Sequence, residues 1–139
     1  MSLRRIKVCP LVLREIDGEM NLLLFKHPLA GIQLVKGTVE PFDISYESAA
    51  KRELTEESGI SYVLNTTYLG SWESGYQDQF WHFVLCQVGE TLPKTWCFYT
   101  QDDGGHEFQF FWHRLGDPIP NDCHKLFCDA IQKVQELIR

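Results

Sequence analysis

Glu53, Glu56 and Glu57 are spaced i, i+3 and i+4, so a helix through them carries three carboxylates on one face. Like charges at that spacing destabilise a helix by roughly 0.2–0.5 kcal/mol per pair, so the arrangement calls for a reason. A solvated acidic face, partly offset by Lys51 and Arg52, is the plain one. The preceding loop, Lys36-Gly37-Thr38-Val39-Glu40-Pro41, supplies another. A hard cation such as Mg²⁺ takes oxygen ligands, commonly one or two carboxylates plus the phosphates of a substrate. Glutamates on a rigid helix facing a glycine loop offer that donor set. A metal there would neutralise a polyphosphate, lower the pKa of a bound water and orient its attack on phosphorus.

The elements that must hold these residues are legible in outline. The acidic segment reads as a helix from about Ile44 or Ser45 to Ser58, with Asp43 or Ser45 as its cap and Gly59 as its terminator. Ala50 and Leu54 face its core. Before it, the apolar runs Ile6–Leu13 and Met20–Phe25 flank the turn pair Asp17-Gly18 and predict a hairpin. Pro10 lacks an amide donor and predicts an edge or a bulge at that point. A short strand over Ile32–Val35 leads into Gly37. After the helix, strands are expected at about Tyr62–Ser71, Gln79–Val88 and His106–Leu115. Phe80-Trp81-His82-Phe83-Val84-Leu85-Cys86 is apolar on both alternations and predicts a central strand covered on both faces. A last helix over about Asp122–Ile138 presents Cys123, Phe127, Ala130, Val134 and Ile138 as a buried stripe. Strands with one helix inside the run and one after it predict an α/β fold with its sheet between helices.

With these elements placed, the chain resembles the Nudix hydrolases, whose signature is G-x5-E-x7-R-E-U-x-E-E-x-G-U, U being aliphatic. Arg52-Glu53-Leu54-Thr55-Glu56-Glu57-Ser58-Gly59-Ile60 matches its second half at every constrained position. The resemblance implies an α/β/α sandwich with a mixed sheet, and hydrolysis of a phosphoanhydride in a nucleoside diphosphate-linked or nucleotide-like substrate. It implies Mg²⁺ or Mn²⁺ held by Glu53, Glu56, Glu57 and the Gly37 carbonyl. Glu53 is then a ligand or the base that orients water, and Arg52 holds a carboxylate of the cluster in place. The first half departs from the pattern: Gly37 to Arg52 is one residue longer, and Phe42-Asp43 replaces Gly-Glu. Either Asp43 stands for the first glutamate with a shorter arm, or Glu47 does. The departure is the ground for the competing reading, a Nudix-like domain that binds a nucleotide or partner without turning it over; an isomerase on the same fold is a third.

Other candidates follow from position. Family members commonly add an acid a few residues before a tryptophan in a late strand. Glu107, five residues before Trp112 and after the turn-rich Asp102-Asp103-Gly104-Gly105, is the candidate base, with Asp102, Asp103 and Glu73 as alternatives. Trp72 and Tyr76, beside Gly75, are candidates to stack on a base, and Lys36 to touch phosphate. A tyrosine in this region goes, in the family, with dinucleoside polyphosphates, and a proline with ADP-ribose. His82, His106 and His113 fall on expected strands and read as structural.

Composition narrows the partners. The net charge of −6 disfavours polymeric nucleic acid and leaves a small phosphorylated ligand open. The 139 residues fit one domain, 1–139. Five cysteines, an odd number with no apolar leader after Met1–Arg5 and nothing of membrane-span length, predict reduced thiols in a cytoplasmic protein with no membrane partner. Cys123, His124 and Cys128 lack a nearby fourth ligand and make a poor zinc site.

Overall fold

The computed structural model describes residues 5–101 and 104–138. Its strands are β1 (Arg5–Leu11), β2 (Leu13–Ile16), β3 (Glu19–His27), β4 (Gly31–Gln33), β5 (Gly37–Thr38), β6 (Val63–Glu73), β7 (Gln79–Val88), β8 (Trp96–Thr100) and β9 (His106–Arg114). Helix α1 (Tyr46–Ser58) stands between β5 and β6, and α2 (Lys125–Ile138) follows β9.

The strands form two sheets. One runs β5-β1-β7-β6 and is mixed, because β1 and β7 pair in parallel. The other runs β2-β3-β9-β8, with β4 also on β3, and is antiparallel throughout. Alternate residues face opposite cores. Val8, Leu23 and Val84 join a core that packs on Ala49, Ala50 and Leu54 of α1. Their neighbours Cys9, Leu24 and Phe83 join a second core under Leu126, Phe127, Ala130, Ile131 and Val134 of α2. The sheets therefore lie between the helices, which is the expected α/β/α sandwich. No helix among the described residues is long and apolar enough to cross a membrane.

The period-two alternation explains why β7 reads as apolar throughout: its even positions pack toward α1 and its odd ones toward α2. Beyond β5, which reaches only Lys7 and Val8, one side of β1 has no strand partner among the described residues, and Pro10 stands there without a ladder bond to lose.

Three expectations needed correction. The first apolar run is two strands. It breaks at Val12, whose carbonyl accepts from Leu23 N–H (2.9 Å); β1 lies in the mixed sheet and only β2 forms the hairpin with β3. Asp17 and Gly18 make its turn with φ of 51° and 80°. Strand β8 was not foreseen; it follows Pro93 and alternates too briefly to stand out. Helix α2 begins at Lys125 rather than Asp122, because Asp122 and Cys123 are held to β4: Asp122 C=O accepts from Ile32 N–H (3.1 Å), and Ile32 bridges Cys123.

Candidate active site

Helix α1 starts where its cap chemistry puts it. Of the two candidate caps, Ser45 does the work: its side chain accepts from Ser48 N–H (3.0 Å). Gly59, at φ 81°, ends the helix with its N–H bonded to the Thr55 carbonyl. Between them the helix is regular, so Glu53, Glu56 and Glu57 rise on one side and all line a single cleft of about 790 Å³. Glu53 and Glu57 are buried, at 6% and 7% exposure, while the Glu56 side chain is 43% exposed. Carboxylates are almost never this buried unless paired.

Arg52 is the pairing group. Its Nη1 bonds Glu53 Oε1 at 2.9 Å and reaches Glu56 Oε2 at 3.3 Å. Its other edge makes a two-pronged bond to Asp43, from Nε to Oδ1 at 3.0 Å and from Nη2 to Oδ2 at 2.8 Å, and Nη2 also donates to the Thr38 carbonyl. The planar guanidinium thus fixes the helix carboxylates and the glycine loop against one another. Asp43 is the residue that meets Arg52 from the loop; it also accepts from Glu40 N–H (2.8 Å), while Glu47 lies half-buried in the first turn of α1. The Arg52 bonds hold the Asp43 carboxyl below its ordinary range. Burial pushes the Glu53 carboxyl the other way, partly offset by its hydrogen bonds.

Gly37, in β5, stands directly on Glu53. A side chain there would overlap the Glu53 carboxylate, so glycine is what lets the loop close onto the acidic face. Lys36 and Tyr76 also line the cleft. Two other candidates lie elsewhere. Trp72 packs edge-on against Trp81 (5.3 Å between centroids) and borders the α2 core. Glu107 is exposed on β9 opposite Tyr99; its neighbour Phe108 is the residue that enters the cleft, so alternation turns Glu107 to the other side of the sheet. Asp102 and Asp103 lie outside the described residues. Glu73 ends β6 in an exposed position and does not line the cleft.

The cleft also gathers residues that sequence reasoning passed over. Lys7, from β1, enters it and donates from Nζ to Thr38 Oγ1 (2.7 Å). Phe42, 68% exposed, lies on its lip beneath the Arg52 guanidinium (5.2 Å). His27 and His124 line the opposite wall. Alternation around buried Val8 could have flagged Lys7; nothing local places His27 in the cleft, and in the sequence His124 reads only as part of a poor zinc cluster with Cys123 and Cys128. The other histidines pack: His82 stacks on Tyr46 (3.8 Å) and bonds the Tyr68 hydroxyl through Nδ1 (2.7 Å), and His113 is buried.

The donor chemistry fits a hard divalent cation. Among the described residues, no group of three or more histidine, cysteine, aspartate or glutamate side chains stands arranged to hold a metal ion by itself. A cation of the Mg²⁺ type uses one or two carboxylates and completes its shell with water and phosphate.

Comparison with known proteins agrees with this geometry. No curated protein matches the chain significantly. Among solved structures, the MutT NUDIX hydrolase of Burkholderia pseudomallei aligns with a TM-score of 0.68 at 23% identity, covering 96% of this chain and 99% of that one. The NUDIX domain of Shewanella oneidensis NrtR, complexed with ADP ribose, aligns with a TM-score of 0.68 at 16% identity, covering 100% and 91%. A mutT/nudix family protein of Listeria innocua aligns at 0.64 and 14% identity, covering 99% and 96%. At these identities the structures establish a shared fold. The family profile for the NUDIX domain matches residues 4–126, every described strand together with the acidic helix and its glycine loop, and the chain therefore belongs to the Nudix family.

Proposed function

We propose that the chain is a divalent-metal-dependent pyrophosphohydrolase, which cleaves a phosphoanhydride in a nucleotide-like substrate by attack of water on phosphorus. The observation that carries this reading is the convergence of Glu53, Glu56, Glu57 and Gly37 on one cleft, tied together by Arg52. Mg²⁺ or Mn²⁺ bound there would neutralise the polyphosphate and acidify a bound water. Glu56 and Glu57, with the Gly37 carbonyl, are the residues to hold it. Glu53 is a further ligand or the acceptor of the water's proton; its raised affinity for a proton suits that role. Arg52 keeps Glu53 oriented. Lys36 and Lys7 supply positive charge for the phosphates along the cleft floor. Asp43, doubly bonded to Arg52, supports a complete site and weakens the ground for a binding-only domain.

The NrtR domain's ADP ribose supports a nucleotide-like ligand for a cleft on this fold. All five cysteines are unpaired, which supports a reducing compartment such as the cytoplasm. The test is a panel of nucleoside di- and triphosphates, nucleotide sugars, ADP-ribose and dinucleoside polyphosphates, with Mg²⁺ and Mn²⁺, scored by product identity. Release of a phosphomonoester or diphosphate with a nucleoside monophosphate is the expected result. Binding without turnover across the panel would favour the binding-only domain.

A further inference from the structure

The cleft changes character along its length. One end holds the α1 carboxylates. Next to Gly37, Lys36 extends toward α2: its Nζ lies 5.3 Å from the centroid of the Trp81 ring and 5.5 Å from that of Phe127. Phe127 stands in the first turn of α2, and the residue before that helix, His124, meets Tyr76 edge to face with centroids 5.9 Å apart. A chain of contacts therefore runs from Glu53 through Gly37, Lys36 and Phe127 to His124 and Tyr76. The far wall is aromatic or apolar, formed by Tyr76, His124, Leu126 and Phe127.

Hydrogen bonds fix the backbone that carries Tyr76 and the ring of His124 itself. Tyr76 sits in the tight β6–β7 turn, where Gln77 and Asp78 adopt φ of 49° and 58°; its N–H bonds Ser74 Oγ (3.1 Å) and its carbonyl accepts from Gln79 N–H (2.9 Å). His124 caps α2. Its carbonyl accepts from Phe127 N–H (2.9 Å) and Cys128 N–H (3.0 Å), and its Nδ1 accepts from Leu126 N–H (3.1 Å). Serine, threonine, aspartate or asparagine ordinarily makes that last bond. None of these brings a flat ring. An Nδ1 that accepts carries no proton, so the neutral ring has its proton on Nε2. The cap thus sets the plane of the ring and leaves Nε2–H as a donor away from the helix.

We propose that His124 is the specificity-determining residue at the far end of the cleft. Tyr76 offers the ring face on which a nucleobase stacks, and His124, whose ring stands at 70° to it, donates from Nε2–H to a carbonyl or ring-nitrogen acceptor on the base edge. Every base has a face that stacks on aromatic rings, and a fixed donor then selects among their edges. This rests on the hydrolase reading for the position of the phosphates.

The test uses His124→Asn, which keeps a capping side chain and removes the ring, His124→Ala, which removes both, and Tyr76→Ala. The preference of each is the ratio of kcat/KM for a nucleoside triphosphate to that for inorganic tripolyphosphate, both with Mg²⁺. Calorimetric binding of adenosine, guanosine, cytidine and uridine monophosphates is measured alongside. All three variants should lower the preference about tenfold or more, mainly through KM, with weaker monophosphate binding. His124→Ala should also lower Tm, and His124→Asn should restore it. A residue that only caps the helix would give that Tm pattern with wild-type preference and wild-type monophosphate binding, which overturns the proposal. Monophosphate binding that weakens in the variants of a protein showing no turnover would uphold the base wall and overturn the hydrolase reading. Wild-type turnover of tripolyphosphate with no preference for nucleotides would overturn the base wall and leave hydrolysis standing.

Discussion

The two helices flank the same pair of sheets and use their buried faces in opposite ways. Helix α2 buries Leu126, Phe127, Ala130, Ile131 and Val134, an apolar stripe with no charge in it. Helix α1 buries Ala49, Ala50 and Leu54, and beside them Glu53, Glu57 and Ser58. Burying a carboxylate disfavours its charged form unless partners compensate, and Arg52 compensates only in part. One helix is thus shaped for packing. The other gives up packing to hold carboxylates where a cation and a phosphate would need them. The difference teaches that a buried face is not one kind of surface, and that the costly version marks the site.

The contrast predicts separable effects, the largest in α1. Glu53→Gln or Glu57→Gln keeps size and removes charge, so turnover should fall by about a hundredfold or more. Metal-free Tm should stay at or above that of the parent protein. Near-parental rates in both variants would show the acidic face to be a mere helix surface. In α2 the signs reverse. Ile131 is fully buried, and Ile131→Ala should lower the unfolding free energy by about 2–5 kcal/mol while kcat per folded molecule is retained. A loss of kcat as large as that in the glutamate variants would dissolve the distinction between the helices.

Acid titration of metal-free protein sharpens the contrast within the site itself. Arg52 lowers the pKa of Asp43 in the folded state, so Asp43 contributes stability above its unfolded value of about 3.9, and this is lost as pH falls through the folded value. The deficit of Asp43→Asn relative to the parent should therefore be full near neutrality and shrink on acidification. Burial raises the pKa of Glu53. Its protonated form is favoured at low pH, and that advantage is lost as pH rises from about 4.3 through the folded value. Glu53→Gln should accordingly gain on the parent as pH rises. Parallel pH slopes for the two variants would contradict the opposite environments assigned to them. The smallest effect belongs to Glu107, which faces away from the cleft: Glu107→Gln should change kcat by no more than about twofold, under 0.5 kcal/mol of barrier.

The acidic helix was legible because local rules decide it. A cap, a terminating glycine and the 3.6-residue period place Glu53, Glu56 and Glu57 together without knowledge of the fold, and the same holds for the Asp17-Gly18 turn and for Phe127, Ala130 and Val134 of the α2 stripe, though not for Cys123, which precedes the helix. What escaped the sequence depends on long-range pairing. The break at Val12 arises because β1 and β2 join different sheets, and its signal is spread over residues far apart in the chain. Lys7 reaches the cleft only because β1 pairs with β5 and β7. Trp72 and Tyr76 looked equivalent beside Gly75, yet one packs under α2 and the other faces the cleft. Glu107 was inferred from its distance to a tryptophan, and one step of strand alternation turns it to the other face.

The most direct measurement is turnover of the best substrate from the nucleotide panel as a function of free metal, after exhaustive chelation and on adding back Mg²⁺ or Mn²⁺. Clustered carboxylates alone repel a polyphosphate, so the chelated protein should be inactive, with activity returning and saturating as metal is restored. Full turnover by the chelated protein would contradict a catalytic role for the acidic face of α1 through a metal.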